Sequence, residues 1–181
     1  RRADGGIQHA ALTLRRVSYG GRSLLSSVWR DVTEQRRQQA RTERLNRSYA
    51  VLSAVNEAVV RLRDSQALFA EVCRITTQVG GFNLAWVGRV DDSDGHVVAL
   101  GEAGHPAGYV HSLRLSVWDG RDSPGANGLI GQALQSGQVN VVQDIETSAH
   151  VTIRRDVLLA HGHRSLAVFP ILPSGGQRLV L

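Results

Sequence analysis

Residues 68–91 read LFAEVCRITTQVGGFNLAWVGRVD, and the change of period inside them decides the fold. Up to Val79 the apolar residues Leu68, Phe69, Val72, Ile75 and Val79 recur at spacings of three and four, the pattern of one helix face. Gly80-Gly81 supplies a helix stop. From Phe82 to Val90 the period is two, with Leu84, Trp86 and Gly88 on one side and Ala85 and Val87 on the other, so this is a strand. Cys73, between Val72 and Ile75, is the only cysteine. It excludes an internal disulfide and a thiolate cluster. It is expected to be a small buried residue rather than a chromophore anchor or redox sensor, and it implies a reducing, cytoplasmic compartment.

Downstream, strands and short helices alternate. Asp91-Asp92-Ser93-Asp94-Gly95 reads as a turn, and His96 to Ala103 as the partner of the Phe82 strand. Gly104 to Gly108 is a loop, an irregular or helical piece follows near Tyr109, and Leu113 to Trp118 is a strand candidate. The Gly-, Asp- and Pro-rich residues 119–127 are loop. Gly128 to Ser136 is a short helix closed by Gly137, Val139 to Val142 a strand, and Ile153 to Ala160 a helix closed at Gly162. Ser165 to Ile171 is a central strand, residues 173–176 turn, and Arg178 to Leu181 begins another strand. This order predicts an α+β domain, one sheet covered by helices.

Upstream, residues 31–63 read DVTEQRRQQARTERLNRSYAVLSAVNEAVVRLR without Pro or Gly. Asp31 is placed to cap the first free N–H groups, with Glu34 reaching back. Leu45, Tyr49, Leu52, Val55, Val59 and Leu62 fall on one helix face. The helix is too long for ordinary globular filling and is read as a connector paired with its own copy, a homodimer. Asp64 or Ser65 caps the next helix, so a kink or break is expected there. Before the long helix, residues 7–18 and 23–29 form two strands joined by the turn Tyr19-Gly20-Gly21-Arg22. Two strands alone are not a stable unit, so the hairpin is read as the end of a domain that starts upstream.

The net charge of +5 is uneven, since residues 1–47 hold eleven Arg against four acids and the remainder ten Arg against twelve. Aromatic residues are not interleaved with the Arg, and no recognition motif is present, so the basic half is a solvated helix surface and not a nucleic-acid site. No apolar run approaches the about 20 residues of a membrane span, so no membrane segment is expected here. The chain holds no Met and is read as part of a longer protein. It lacks the Walker, G-x-S-x-G and H-E-x-x-H motifs, and with them any catalytic signature.

Two resemblances follow from particular residues. VWRDVTEQRRQ, at a strand-to-helix exit, resembles the end of a PAS domain with its D-[IV]-T-E signature and signalling helix. In that family the Asp and Thr tie the helix to the sheet, and Asp31 and Thr33 occupy those positions. The blocks YAVLSAVNEAVVR, LFAEVCRITTQVGGFNLAWVGRVD, GLIGQALQSGQVNVVQDI, VLLAHGHRSLAVFPIL and GGQRLVL together resemble a GAF domain over about residues 49–181. Such domains occur in bacterial multidomain signalling proteins ahead of a cyclic-di-GMP enzyme or a histidine kinase. The family's sheet carries a further strand and a closing helix beyond the equivalent of Leu181. The resemblance therefore implies three parts: residues 1–34 as a PAS-terminal hairpin, 35–63 as a dimerisation helix, and 64–181 as a GAF domain lacking its last strand and helix. It implies a non-catalytic sensor and relay.

The GAF resemblance also implies a cavity between sheet and helices. Trp86, Trp118 and Ile130 are candidates to line it. Arg154 or Arg155 could meet an anionic ligand there, and His163 and Ser165, at the entry of the central strand, are further candidates. His161-Gly162-His163 offers two imidazoles but no third ligand nearby, so no metal is expected. No cofactor is assigned. His161 is instead a helix-end residue favourably placed for the macrodipole. Asp91, Asp92, Asp94 and Glu102 are read as hairpin-turn chemistry, since a calcium loop would need a longer regular ligand pattern.

Overall fold

The computed structural model describes residues 8–105, 109–112, 115–120, 123–124, 128–151, 155–172 and 177–181. The chain divides into two compact units, residues 1–49 and 50–181.

In the first unit, strands β1 (Ala10–Tyr19) and β2 (Arg22–Asp31) pair antiparallel from Tyr19↔Arg22 to Ala10↔Asp31. Gly20 and Gly21 join them with φ of 57° and 75°. Positive φ at both central residues is what a two-residue turn matching the strand twist requires. β2 runs further toward the helix than its alternation predicts, because its pairing continues to Asp31, and both strands reach one residue closer to the turn.

Helix α1 (Thr33–Arg61) starts at a compact joint. Asp31 Oδ1 accepts the Thr33 N–H at 2.9 Å, and its Oδ2 accepts the Gln8 side-chain amide at 2.7 Å. Thr33 Oγ1 accepts the His9 N–H at 2.8 Å, while the Val32 N–H donates to the His9 carbonyl at 2.9 Å. Asp31 and Thr33 thus fasten the helix start to the first residues of the hairpin. Glu34 does not reach back as a capping box would. It accepts from Gln38 at 3.3 Å, one turn on, and the Val32 N–H just before the helix is taken by the His9 carbonyl instead.

The second unit contains the end of α1 and the remaining elements. α1 stops at Arg61, and α2 (Ser65–Gln78) follows a break at residues 62–64. Asp64, extended at φ −82° and ψ 125°, caps α2 by accepting the Ala67 N–H at 2.7 Å. β3 (Leu84–Val90) and β4 (Val97–Gly104) then pair antiparallel, with Ala85↔Ala103, Trp86↔Glu102 and Val87↔Gly101 and an irregularity after Val87. The predicted strand at residues 113–118 contributes a single bridge, Ser116 to His96, among the described residues. α3 (Tyr109–Ser112), β5 (Asp119–Gly120) and β6 (Ser123–Pro124) follow, then α4 (Leu129–Ser136), closed by Gly137 at φ 67°. β7 (Asn140–Val142), α5 (Arg155–Ala160), β8 (Leu166–Val168), β9 (Pro170–Ile171) and β10 (Leu179–Val180) complete the chain. The predicted turn at 173–176 lies outside the described residues.

The sheet runs β4-β3-β10-β9, and β7 pairs with β8. The expected single strand from Ser165 to Ile171 is divided at Phe169. There it exchanges two main-chain hydrogen bonds with Leu181, at 2.8 and 3.0 Å. The β7–β8 pair thereby continues the main sheet. On one face, Cys73 and Phe69 of α2 pack on Ala85, Val87, Ala103 and Leu181. Contact there is so close that a Cβ on Gly101 would lie 2.9 Å from main-chain atoms of Phe69 and Ala70. On the other face, Ala133, Leu129 and Ile130 of α4 pack with Trp86, Val168 and Val180. Beyond them, Val142, Ile145 and Val151 form a buried cluster with Leu158 and Leu159 of α5. The fold is α+β, an antiparallel sheet with helices on both faces.

Candidate functional site

The sheet face opposite α2 holds the chemistry-bearing side chains. Trp86 and Glu102 are cross-strand partners, so both project from this face. The Glu102 carboxylate accepts the Val110 N–H at 3.1 Å and holds α3 against β4. Tyr109, buried, meets the His161 ring edge-on at a centroid distance of 5.0 Å and 62°, and the His163 ring at 6.4 Å and 41°.

A helix stop places the two imidazoles there. The His163 N–H donates to the Leu158 carbonyl at 3.0 Å and the Gly162 N–H to that of Leu159 at 2.9 Å. With Gly162 at φ 78°, this is the Schellman arrangement. The residue after Gly162 turns back across the helix end. In this chain it is His163, and its Nε2 is buried with no hydrogen-bond partner among the described residues. Burial, and then the neighbouring His161, hold its pKa below the ordinary 6.5, so His163 is neutral at pH 7. A neutral imidazole with one enclosed ring nitrogen can give or take one hydrogen bond with a small molecule.

The other predicted residues separate. Trp86 and Ile130 share one apolar cluster, next to Leu129 and Leu166. Trp118 is 44 % exposed and lies over Gly95 in the β3–β4 turn, its ring 2.4 Å from where a Cβ would stand. Arg155 is engaged with main chain: its Nε donates to the Val151 carbonyl at 2.9 Å, and its Nη2 to the Ser148 carbonyl. Ser165 is exposed, and Arg154 lies outside the described residues. Asp91 accepts the Ser93 hydroxyl at 2.6 Å and N–H at 2.9 Å, which lowers its pKa, and Asp94 accepts the His96 N–H. Both are turn residues, whereas Glu102, read with them, lies within β4 and serves Val110 instead. Among the described residues no group of three or more His, Cys, Asp or Glu could hold an ion. Tyr109 was not singled out by sequence reasoning; the only signal was one aromatic residue beside the predicted loop.

A family model described as GAF domain matches residues 63–181. The chain belongs to the GAF domain family. Similar solved structures share its fold at low identity. Free methionine-R-sulfoxide reductase from Neisseria meningitidis, in complex with its substrate, matches with TM-score 0.57 and 19% identity, over 76% of this chain and 72% of that one. The GAF domain of a phosphoenolpyruvate-protein phosphotransferase from Coxiella burnetii matches at 0.56 and 16%, over 73% and 75%. The A. aeolicus nlh2 GAF domain, in an inactive state, matches at 0.54 and 12%, over 74% and 79%. No curated protein matches the chain.

GAF domains are regulatory small-molecule-binding modules of signalling proteins, and this GAF domain has the sheet and helices of one. Thiol chemistry has no support here. Cys73, fully buried on the α2 side, has its thiol pKa pushed up to about 11 by burial, and Glu102 adds to the shift. No helix among the described residues is long and apolar enough to cross a membrane.

Proposed function

We propose that the chain is the sensory and signal-relay region of a cytoplasmic bacterial signalling protein, with no catalysis of its own. In this reading α1 dimerises, the GAF domain senses, and the helices bias an output domain. That output is cyclic-di-GMP synthesis or breakdown, with a histidine kinase as the alternative. The hairpin is the end of a PAS domain. Two features support that last assignment: the Asp31–Thr33 joint, and an apolar face of Leu12, Leu14, Leu25 and Trp29 that a two-stranded sheet leaves in water.

One observation carries the relay reading. α1 is a single helix of 29 residues that leaves Leu45, Tyr49, Leu52 and Val59 exposed at 50–68 %. Val55 and Leu62, predicted for the same stripe, are half-buried beside the buried Ala58. The helix thus has two apolar faces, and one remains for a partner. A ligand that favours one arrangement of paired helices transmits by differential affinity, and the shared helix is the element both sites bias. Sedimentation of the full chain tests this. A dimer that becomes monomeric in Leu52→Lys or Val59→Lys, with the melting temperature of the GAF domain kept, is the expected result. A monomeric parent would reject the reading.

The buried His163 Nε2 favours a second reading, a receptor for a small molecule. With Arg155 held by carbonyls, a neutral ligand fits better than an anion. A thermal-shift screen of cyclic nucleotides, tetrapyrroles, small carboxylates and neutral heteroaromatics tests it. Protection by a neutral compound that is lost in His163→Phe supports the receptor. Binding that is indifferent to His163, or seen only with anions, counts against it.

A further inference from the structure

The exposed stripe of α1 is longer than its apolar part and has one heptad phase throughout. Leu45, Tyr49, Leu52 and Val59 are joined by Asn56, and N-terminally by Gln35, Gln38 and Thr42, all of them exposed. The eight positions are separated alternately by three and four residues, the repeat of a left-handed two-stranded seam. Gln35, Thr42, Tyr49 and Asn56 hold the a positions; Gln38, Leu45, Leu52 and Val59 hold d. None of the nine charged side chains of α1 falls on the stripe, although its first half is dense in Arg and Glu. The domain-facing residues Val51, Val55, Ala58 and Leu62 lie on a different side of the helix.

Resting on the dimer reading above, we infer that α1 pairs with a second copy of itself parallel and in register, with Asn56 against Asn56 setting the alignment. Polarity selects this geometry. In a parallel pair each stripe residue meets its own copy, glutamine on glutamine and leucine on leucine. In the antiparallel pair of greatest overlap, Leu52 meets Thr42, Asn56 meets Gln38 and Val59 meets Gln35, so every apolar layer but Leu45–Tyr49 is mixed. The flanking positions agree. Val60, at the flanking position beside Asn56 and Val59, is 78 % exposed in one chain. Arg41 meets Asn46, and Ser48 meets Ser53, so no like charges face each other. A buried pair of carboxamides can satisfy itself only when the two Asn56 layers coincide, which is how one polar a residue fixes register while lowering stability.

The test is self-crosslinking of the full chain carrying Leu52→Cys or Val59→Cys under mild oxidation, with sedimentation alongside. Both sites are exposed in one chain, so the variants fold. The unsubstituted protein, whose Cys73 is buried, is the control that forms no crosslink. Near-complete disulfide dimer from each single variant is expected. Dimers by sedimentation that do not crosslink would overturn the parallel register and leave the dimer reading standing; monomers would overturn both. Asn56→Val is expected to tighten association about tenfold while lowering the Leu52→Cys crosslink yield, as antiparallel and shifted pairs then compete. Unchanged affinity with full crosslinking would overturn the role of Asn56.

Discussion

Gly101→Ala probes the contact that sets α2 on the sheet. Gly101 is buried on β4, and a methyl group there would lie 2.9 Å from Ala70 N, 2.9 Å from the Phe69 carbonyl carbon and 3.1 Å from its oxygen. Ordinary contact begins near 3.4 Å, so α2 must move off by about half an ångström. The movement opens the interface of Cys73 and Phe69 with Ala85, Val87 and Ala103. Overpacking of this kind costs about 1–3 kcal/mol. Removing a glycine from a strand returns up to about 1 kcal/mol of backbone entropy. The net expectation is a loss of about 1–2 kcal/mol. For a chain of this size each kcal/mol lowers the melting temperature by about 2–4 °C, so a drop of about 2–8 °C is expected by calorimetry. The obstacle is main chain, so truncating the Phe69 side chain in the same protein does not restore stability. A variant as stable as its parent, or one rescued by Phe69→Ala, would refute the packing argument.

Cys73 is expected to resist a thiol-specific disulfide reagent in the folded protein and to react fully in denaturant, because burial keeps it as a thiol; rapid reaction in native buffer would contradict its placement. His163 has a folded pKa below 6.5, so its contribution is present above about pH 6.5 and is lost as pH falls from there toward the folded value, where the unfolded chain binds the proton more readily. The fall in melting temperature between about pH 7.5 and pH 5.5 is therefore expected to be smaller in His163→Gln than in the parent; equal slopes would show that burial does not disfavour the imidazolium. Asp64→Ala removes the acceptor of the Ala67 N–H and is expected to cost about 1 kcal/mol in a urea titration with unchanged m-value.

The local elements were legible in the sequence because their signals are local. The period switch between Val79 and Leu84, Gly80-Gly81 as a stop, Asp64 as a cap, and Gly20-Gly21 as a hairpin turn each involve neighbours within a few residues, where torsional preference and one hydrogen bond decide the outcome. Asp31 and Thr33 anchor the helix start as the family resemblance, rather than any local signal, implied, since their partners, Gln8 and His9, lie more than twenty residues back. What sequence placed together but the structure separates is the candidate site. Trp118 went to the β3–β4 turn, and Arg155 to two carbonyls of the preceding loop, because long-range packing chooses among several faces that composition cannot rank.

By itself, then, the sequence determined the alternation of helix and strand, the α+β class, the break before α2 and an α1 with an uncharged side, since these follow from periodicity and capping. Tertiary structure alone decided which face each residue serves. It turned Val55 and Leu62 into the domain and left Leu52 and Val59 outside, and it brought Tyr109 to His161 and His163 across some fifty residues of chain. The physical reason is that a helix stripe or a strand face states only that apolar surface must be covered; what covers it depends on sheet register and on the crossing of elements far apart in the chain.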